Sequence, residues 1–337
     1  MLNTIVEGGD LTLTSISRNY ESVTQFVNHN ETQAKQLLEV AQVALENAEL
    51  KLNSAKKSRD DYMLGMVSNY GKVIQASHTM AQGVDNLLAV SQNLTAALDY
   101  YSKKDYEKAA QEASYCLETL TPLLSEFVAS NATLNSVDYS YIPSGQRDRL
   151  TLGVKQFTNE TEIYVQYLLI LRSLVEGKDY LQMNELLEEY LRELQDAISK
   201  NDYESAQNLL EEISKLLQSL KDTKYQNITD TASQLDPNKL NGTDSDFSQD
   251  LRDKLKGQEQ ISVFETYLQG LEKYLNALSL FKQGDKTGAE QEIDMGLGIL
   301  GLGPSPGDNA ELQSLYAGLI EAFNSLREHM RSEPGPG

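Results

Sequence analysis

The sequence is poor in the residue types on which most catalytic and metal sites depend. Its 337 residues include one cysteine, three histidines and no tryptophan. A single cysteine excludes an internal disulfide, and no histidine stands at ligand spacing from another histidine, a cysteine or a cluster of acids. The fingerprints of serine hydrolases, zinc proteases, P-loop proteins and dinucleotide-binding proteins are also missing. We therefore expect a protein that is not an enzyme, with no catalytic residue, no metal and no cofactor.

Basic residues are scarce as well. Lysine and arginine number 29 against 50 aspartates and glutamates, which gives a net charge of −21 and a pI near 4.5. Nucleic-acid binding needs a basic surface, so this class of partner is excluded. The most apolar stretch, residues 164–175, is shorter than the about 20 residues of a membrane-spanning helix. No transmembrane segment is expected, and the first residues do not resemble a signal peptide, so an export signal or an anchor would lie outside this sequence.

Proline is confined to seven positions, and the intervals between them are rich in Leu, Ala, Glu, Gln and Lys. Apolar residues recur there at helical spacing. We predict an all-α protein, an elongated helical bundle with irregular hairpins and about eight to ten helices. Strand-like alternation is limited to residues 10–17, and loop composition to 131–146 and 222–249. The expected divisions are a long N-terminal hairpin region at 1–145, central hairpins at 146–235 and C-terminal hairpins with a Pro/Gly linker at 236–337.

A short pattern recurs three times, in residues 102–120, 199–217 and 282–300. Each copy has Lys104, Asn201 or Gly284 directly before an aspartate, and an alanine four residues after that aspartate. Asn and Gly suit the left-handed residue at a helix end, and Asp at the next helix start accepts backbone N–H bonds. The aspartate and alanine pairs are Asp105 with Ala109, Asp202 with Ala206, and Asp285 with Ala289. The pattern predicts tight αα-hairpins, with a weaker fourth copy at 177–180.

These hairpins resemble the turn and second helix of a tetratricopeptide repeat. The aromatic and small residues of that repeat match Tyr106 and Ala109 in the first copy, and Tyr203 and Ala206 in the second. Further matches are Cys116, Ile213 and Gly296, seven positions after each alanine, and Ala97 and Tyr100 in the preceding helix. The aspartates are 97 and 83 residues apart, which is not a multiple of the family's repeat of about 34. The resemblance implies irregular hairpins that present a surface to a protein partner.

The most unusual feature is an excess of N-x-T, the acceptor motif for N-glycosylation. Random placement of the asparagines and threonines gives about one occurrence, whereas six are present and N-x-S is absent. The acceptors are Asn30, Asn93, Asn131, Asn159, Asn227 and Asn241. Helix capping is the alternative explanation; it suits Asn30 and Asn131 at expected helix starts but not Asn93 and Asn159 within expected helices. The excess favours a protein that carries N-linked glycans outside the cytoplasm.

Two loops contain further candidates. Tyr139 and Tyr141 would point the same way in an extended segment before Pro143, which makes them candidate partner-contact residues. The alternative is that these tyrosines anchor the loop. The second loop has oxygen-rich side chains that suit Ca²⁺, at Asp236, Asn238, Asp244 and Asp246. Its spacing does not match an EF-hand, and a solvated loop with a helix cap is the simpler interpretation.

Together these features favour a non-enzymatic, N-glycosylated helical interaction or scaffold domain, secreted or at a cell surface. An acidic, sequon-rich chain without disulfides suits an archaeal cell surface. Binding would use a groove between hairpins or the tyrosine loop. The first alternative is the ligand-sensing ectodomain of a transmembrane receptor, with a small-molecule pocket in a helical bundle. The second is a cytoplasmic, tetratricopeptide-like adaptor whose sequons are accidental.

Overall fold

The chain is helical in nearly all of the part that the structure describes. The computed structural model describes residues 1–200, 202–221, 225–255, 261–307 and 310–332, which form twelve α-helices and no strand. The all-α class is therefore confirmed. The helices are α1 (Leu2–Val27), α2 (Glu31–Ala55), α3 (Asp61–Ser102), α4 (Tyr106–Leu120), α5 (Leu124–Asn135), α6 (Ser144–Ser199), α7 (Tyr203–Leu220), α8 (Gln226–Ser233), α9 (Gly242–Leu255), α10 (Ile261–Lys282), α11 (Lys286–Leu302) and α12 (Ala310–Ser332).

The helices belong to two compact units. The first unit contains residues 1–178 and 231–252, and the second contains 179–230 and 253–337. The chain passes from the first unit to the second within α6 and again within α9. The units therefore differ from the three consecutive divisions expected at 1–145, 146–235 and 236–337, because residues 231–252 return to the first unit.

In the first unit, α1 and α2 pack closely because small residues repeat every seven positions on both helices. The small residues of α2 are Ala34, Ala41, Ala48 and Ala55, and those of α1 are Gly8, Ser15 and Ser22. The hydroxyl of Ser15 donates to the carbonyl of Ala41 at 2.8 Å, and the hydroxyl of Ser22 donates to the carbonyl of Ala34. These bonds satisfy buried hydroxyls that would otherwise destabilise the interface, and they fix an antiparallel register.

The repeated turn is present at the places that the sequence indicates. The backbone N–H groups of Asp105, Asp202 and Asp285 each bond to the carbonyl five residues earlier, at 2.9–3.0 Å. Each aspartate side chain also accepts the N–H three residues later. The alanines that follow, Ala109, Ala206 and Ala289, are fully buried. Lys104 and Gly284 have the expected positive φ of 62° and 85°, while Asn201 lies outside the described residues.

A fourth turn of this kind joins α1 to α2, where the sequence pattern does not predict one. His29 takes the positive φ, and Asn30 caps α2 by accepting the N–H of Gln33. The N–H of Asn30 bonds to the carbonyl of Gln25 at 2.9 Å, and Ala34 is fully buried. The fourth copy predicted at 177–180 is wrong, because those residues lie inside the continuous helix α6.

Three other sequence expectations are wrong in detail. Residues 10–17, which alternate like a strand, lie within α1, since their polar positions are small and suit the packing with α2. The expected loop at 222–249 contains α8, a 3₁₀ turn at Pro237–Lys239 and most of α9. Asn131 lies inside α5 rather than at a helix start. The short polar helices α8 and α9 bring the number of α-helices in the described residues to twelve, above the expected eight to ten.

In the second unit, α10 packs against both α7 and α11, and α12 packs against α10 and α11. Glycines permit two close approaches here. A methyl group at Gly296 would lie 2.2 Å from the ring of Phe323, and one at Gly270 would lie 2.9 Å from Leu300. The hydroxyl of Tyr316 donates to the carbonyl of Val263 at 2.7 Å. This packing leaves one face of α10 open between α7 and α11.

Among the described residues, no helix combines the length and the apolar composition that crossing a bilayer requires. This agrees with the expectation from the sequence.

Candidate functional site

A groove of about 550 Å³ lies between α7 and α10 in the second unit. One wall is α7, which follows the repeated turn at Asp202, and the other is α10, which precedes the turn at Asp285. We call it the α7–α10 groove. Its lining residues are Gln207, Leu210, Glu211, Ser214, Leu217 and Gln218 from α7, and Glu265, Leu268, Gln269, Glu272 and Asn276 from α10. Apolar side chains form its floor, and amides and carboxylates form its walls.

The polar walls come from matching stripes on the two helices. On α7 the stripe has Gln207, Glu211, Ser214 and Gln218, and on α10 it has Glu265, Gln269, Glu272 and Asn276. Both stripes have spacings of four, three and four residues, which place their members on one side of a helix. Leu210, Leu217 and Leu268, next to the stripes, are buried and line the bottom of the groove. Amphipathic helices thus bring the two polar stripes face to face.

Bridges between the two helices fix the ends of the groove. At one end the amide nitrogen of Gln207 donates to the amide oxygen of Asn276 at 3.4 Å. At the other end the ammonium of Lys221 pairs with the carboxylate of Glu265. These pairs show that α7 and α10 run antiparallel. From residue 207 to residue 218 the groove follows about 16 Å of helix, at about 1.5 Å per residue.

The groove is electronegative. Glu211 is paired with Lys215 at 3.0 Å, and Glu265 is paired with Lys221. Glu272 is exposed and forms no ion pair with any residue that the structure describes. The second unit as a whole has 25 acidic and 12 basic residues, a net charge of −13, against −8 for the first unit. The groove therefore attracts positive charge.

A second cavity lies on the other side of α10, against α11. It has a volume of about 530 Å³ and is lined mainly by apolar groups, including Met295, Ile299 and Leu302. We call it the α10–α11 pocket. The side chain of Leu302 is 92 % exposed, and Gly298 leaves open space beside it. Gln269 lines both cavities, so they are neighbours across α10.

None of the six acceptor asparagines is sealed in the core. Asn30, Asn131, Asn227 and Asn241 are exposed, and Asn93 and Asn159 are half-buried. As expected, Asn93 lies within α3 and Asn159 within α6, where helix capping does not explain them. The amide of Asn93 donates to Glu112 at 2.6 Å. A glycan on any of the four exposed asparagines could project into solvent without disturbing the core.

The tyrosine loop is folded differently from the extended segment that the sequence suggested. Tyr139 and Tyr141 lie in a 3₁₀ turn, with the N–H of Ser140 bonded to the carboxylate of Asp138 at 2.9 Å. The ring of Tyr141 packs against Tyr62 at 5.8 Å and covers Gly65. Tyr139 is exposed, whereas Tyr141 is half-buried. Tyr141 therefore anchors the loop on α3, and the two rings do not form a shared contact surface.

The four candidate calcium ligands make separate contacts and do not come together in one site. Asp236 accepts hydrogen bonds from the backbone and the side chain of Asn238, each at 3.1 Å. Asp244 is 2 % exposed, and it accepts a 2.6 Å hydrogen bond from the hydroxyl of Tyr167. Burial raises the pKa of the Asp244 carboxyl. Asp246 is exposed. In the described ranges no group of three or more His, Cys, Asp or Glu side chains could hold a metal.

A groove between hairpins was expected from the sequence, but its residues were not. The polar 4-3-4 stripes on α7 and α10 are visible in the sequence. That they face each other is not, because residues 221–260 separate the two helices. Comparisons with protein-family models, curated proteins and solved structures return no match for this chain.

Proposed function

We propose that this chain is a non-enzymatic, N-glycosylated helical domain that binds a protein partner outside the cell or at its surface. The α7–α10 groove is the observation that carries the binding function. It is long enough for a short peptide segment, and its leucines, amides and carboxylates offer both apolar area and hydrogen bonds. The surface positions of the acceptor asparagines support the extracellular location, because an oligosaccharide needs solvent around it.

The binding function is tested by blocking the groove. Ser214→Trp places a large ring among the lining residues, while Ser219→Trp places the same ring on an exposed position of α7 outside the lining. Each variant is used as bait on surface extracts of the native host. We expect a partner that wild type and Ser219→Trp retain and Ser214→Trp loses. Equal retention by both tryptophan variants would show that the groove is not the binding site.

The extracellular location is tested on native protein by intact mass and glycopeptide mapping. We expect hexose-containing additions at one or more of the exposed acceptors Asn30, Asn131, Asn227 and Asn241. A native mass equal to that of the unmodified chain would favour the cytoplasmic adaptor instead.

The ligand-sensing ectodomain is the second candidate, and the α10–α11 pocket is the observation that favours it. A small apolar metabolite bound there would raise the melting temperature by mass action. A thermal-shift screen with and without Gly298→Leu, which fills the open space beside Leu302, separates a sensor from a peptide-binding domain.

A further inference from the structure

We propose that the segment bound in the α7–α10 groove is an extended, basic stretch of polypeptide with an apolar residue at one end. This inference rests on the proposed function, and it adds the chemistry of the partner. It follows from the charge of the groove, from its length and polar groups, and from the apolar pocket beside it.

The charge of the lining selects a cationic partner. Among the residues that the structure describes, three glutamates and no lysine or arginine line the groove. The neighbouring cations among the described residues are Lys215 and Lys221 beside the groove and Lys273 in the α10–α11 pocket. Each of them is already paired with a glutamate, which leaves Glu272 to bind an incoming lysine or arginine. The net charge of −13 on this unit attracts a basic segment over a longer range and repels an acidic one.

The length and the amides of the groove fit an extended chain. From its Asn276 end to Gln269, where the segment crosses α10, the groove follows about 10 Å of helix at about 1.5 Å per residue. This length accommodates roughly three extended residues at about 3.3 Å per residue, and the next residues cross α10. Gln207 and Gln269 each present a donor and an acceptor, so they can bond to the N–H and C=O groups of a passing backbone. The floor of Leu210, Leu217 and Leu268 contacts the aliphatic stems of lysine or arginine.

The α10–α11 pocket adds the apolar requirement. A segment that crosses α10 beside Gln269 leaves the groove and reaches Met295, Ile299 and the exposed Leu302. An aliphatic side chain placed there would cover apolar surface that now faces water, which stabilises a complex in proportion to the area buried. The two cavities together therefore fit basic residues followed by an aliphatic one.

Fluorescence anisotropy with two labelled peptides tests the proposal. The first probe is acetyl-Lys-Ala-Lys-Ala-Lys-Leu-amide, and the second replaces each lysine with glutamate. At about 20 mM salt, where screening is weak, we expect saturable binding of the lysine peptide and none of the glutamate peptide. Equal binding of the two peptides, or no binding of either, would overturn the proposal.

Variants locate the binding in the groove. Glu272→Gln removes the unpaired carboxylate, and we expect the lysine peptide to bind about three- to fivefold more weakly. Glu188→Gln removes an exposed carboxylate from α6 in the same unit and serves as the matched control. Leu302→Ser should weaken the peptide that ends in leucine but not one that ends in alanine. An equal loss with Glu272→Gln and Glu188→Gln would show a general attraction to an acidic surface and contradict the proposal.

The groove-blocked variant separates this inference from the proposed function. If Ser214→Trp loses the native partner while the lysine peptide never binds, the groove is a binding site and the basic segment is wrong. If the lysine peptide binds and Ser214→Trp keeps the native partner, the basic preference holds and the proposed use of the groove is wrong.

Discussion

At the scale of single residues, Glu160 is the most unusual group in the first unit. It is 1 % exposed, and neither carboxyl oxygen has a hydrogen-bond partner in the part of the chain that the structure describes. Its surroundings include Phe127 and the close approach of α3 at Gly83. Burial raises the pKa of this carboxyl well above its ordinary 4.5, because the low-dielectric core disfavours the charged form.

This raised pKa predicts a pH dependence of stability. The folded protein holds the Glu160 proton at pH values where the unfolded chain has released it. The contribution of Glu160 is therefore complete below about pH 4.5 and is lost as the pH rises toward the folded-state pKa. In wild type this effect lowers the free energy of unfolding by at most about 1.4 kcal/mol per pH unit. Glu160→Gln should abolish this part of the pH dependence. Urea unfolding at intervals from pH 5 to pH 8 measures it.

The control for this experiment is Glu162→Gln on the same helix. Glu162 is half-exposed and paired with Lys239 at 2.6 Å, so its removal should leave the pH profile parallel to that of wild type. Parallel profiles for wild type and Glu160→Gln would contradict the assignment of a protonated carboxyl at position 160.

At the scale of helices and turns, the left-handed position in the repeated turn limits which residues can occupy it. Gly284 has a φ of 85° and open space around it. Gly284→Ala should therefore lower the free energy of unfolding by about 1–2 kcal/mol through backbone strain alone. Gly318→Ala, within α12 and with nothing near its added methyl group, should raise it by about 0.5–1 kcal/mol. Thermal or urea denaturation of both variants checks the opposite signs.

The α1–α2 contact supports a second prediction at this scale. Ala41 is fully buried, and its carbonyl accepts the hydroxyl of Ser15. Ala41→Leu should therefore destabilise the protein by about 1–3 kcal/mol by forcing the helices apart. Gln42→Leu, at the next and exposed position, should change stability by less than about 0.5 kcal/mol. Similar effects of the two leucines in denaturant titrations would show that the contact tolerates larger side chains.

The turns also show how far the sequence could predict this fold. Lys, Asn or Gly followed by aspartate, with an alanine four residues later, identified three turns, because a capping aspartate has a clear local preference. The turn at His29 was missed because Asn30 stands there in the place of the aspartate. Residues 177–180 have the sequence of a turn, but they continue α6. Local chemistry therefore predicts where a turn can form, and packing of the neighbouring helices decides whether it does.

At the scale of the whole molecule, the net charge of −21 opposes folding, because it brings like charges together. Salt screens this repulsion, so the urea midpoint should rise between 20 and 500 mM NaCl. A falling midpoint would indicate that ion pairs such as Lys51–Glu7 outweigh the repulsion.

The units and the groove were beyond what the sequence could predict. Residues 231–252 belong to the first unit, although residues 179–230 before them belong to the second. No local sequence pattern predicts such long-range packing. The same reason explains why Glu211 and Glu272, 61 positions apart, could not be assigned to one site. The surface positions of the acceptors were easier to anticipate, because asparagine and threonine are rarely buried.

The helical setting of four acceptors, Asn93, Asn131, Asn159 and Asn227, has a consequence for the order of events during biogenesis. In each of these sequons the threonine hydroxyl donates to the carbonyl four residues before it, at 2.9–3.3 Å. In the finished helices these hydroxyls are therefore engaged, and the backbone at the four asparagines cannot extend into the active site of a transferase. Any sugar at these positions must be attached while the chain is still emerging or unfolded. Pulse labelling would accordingly find them modified early or never.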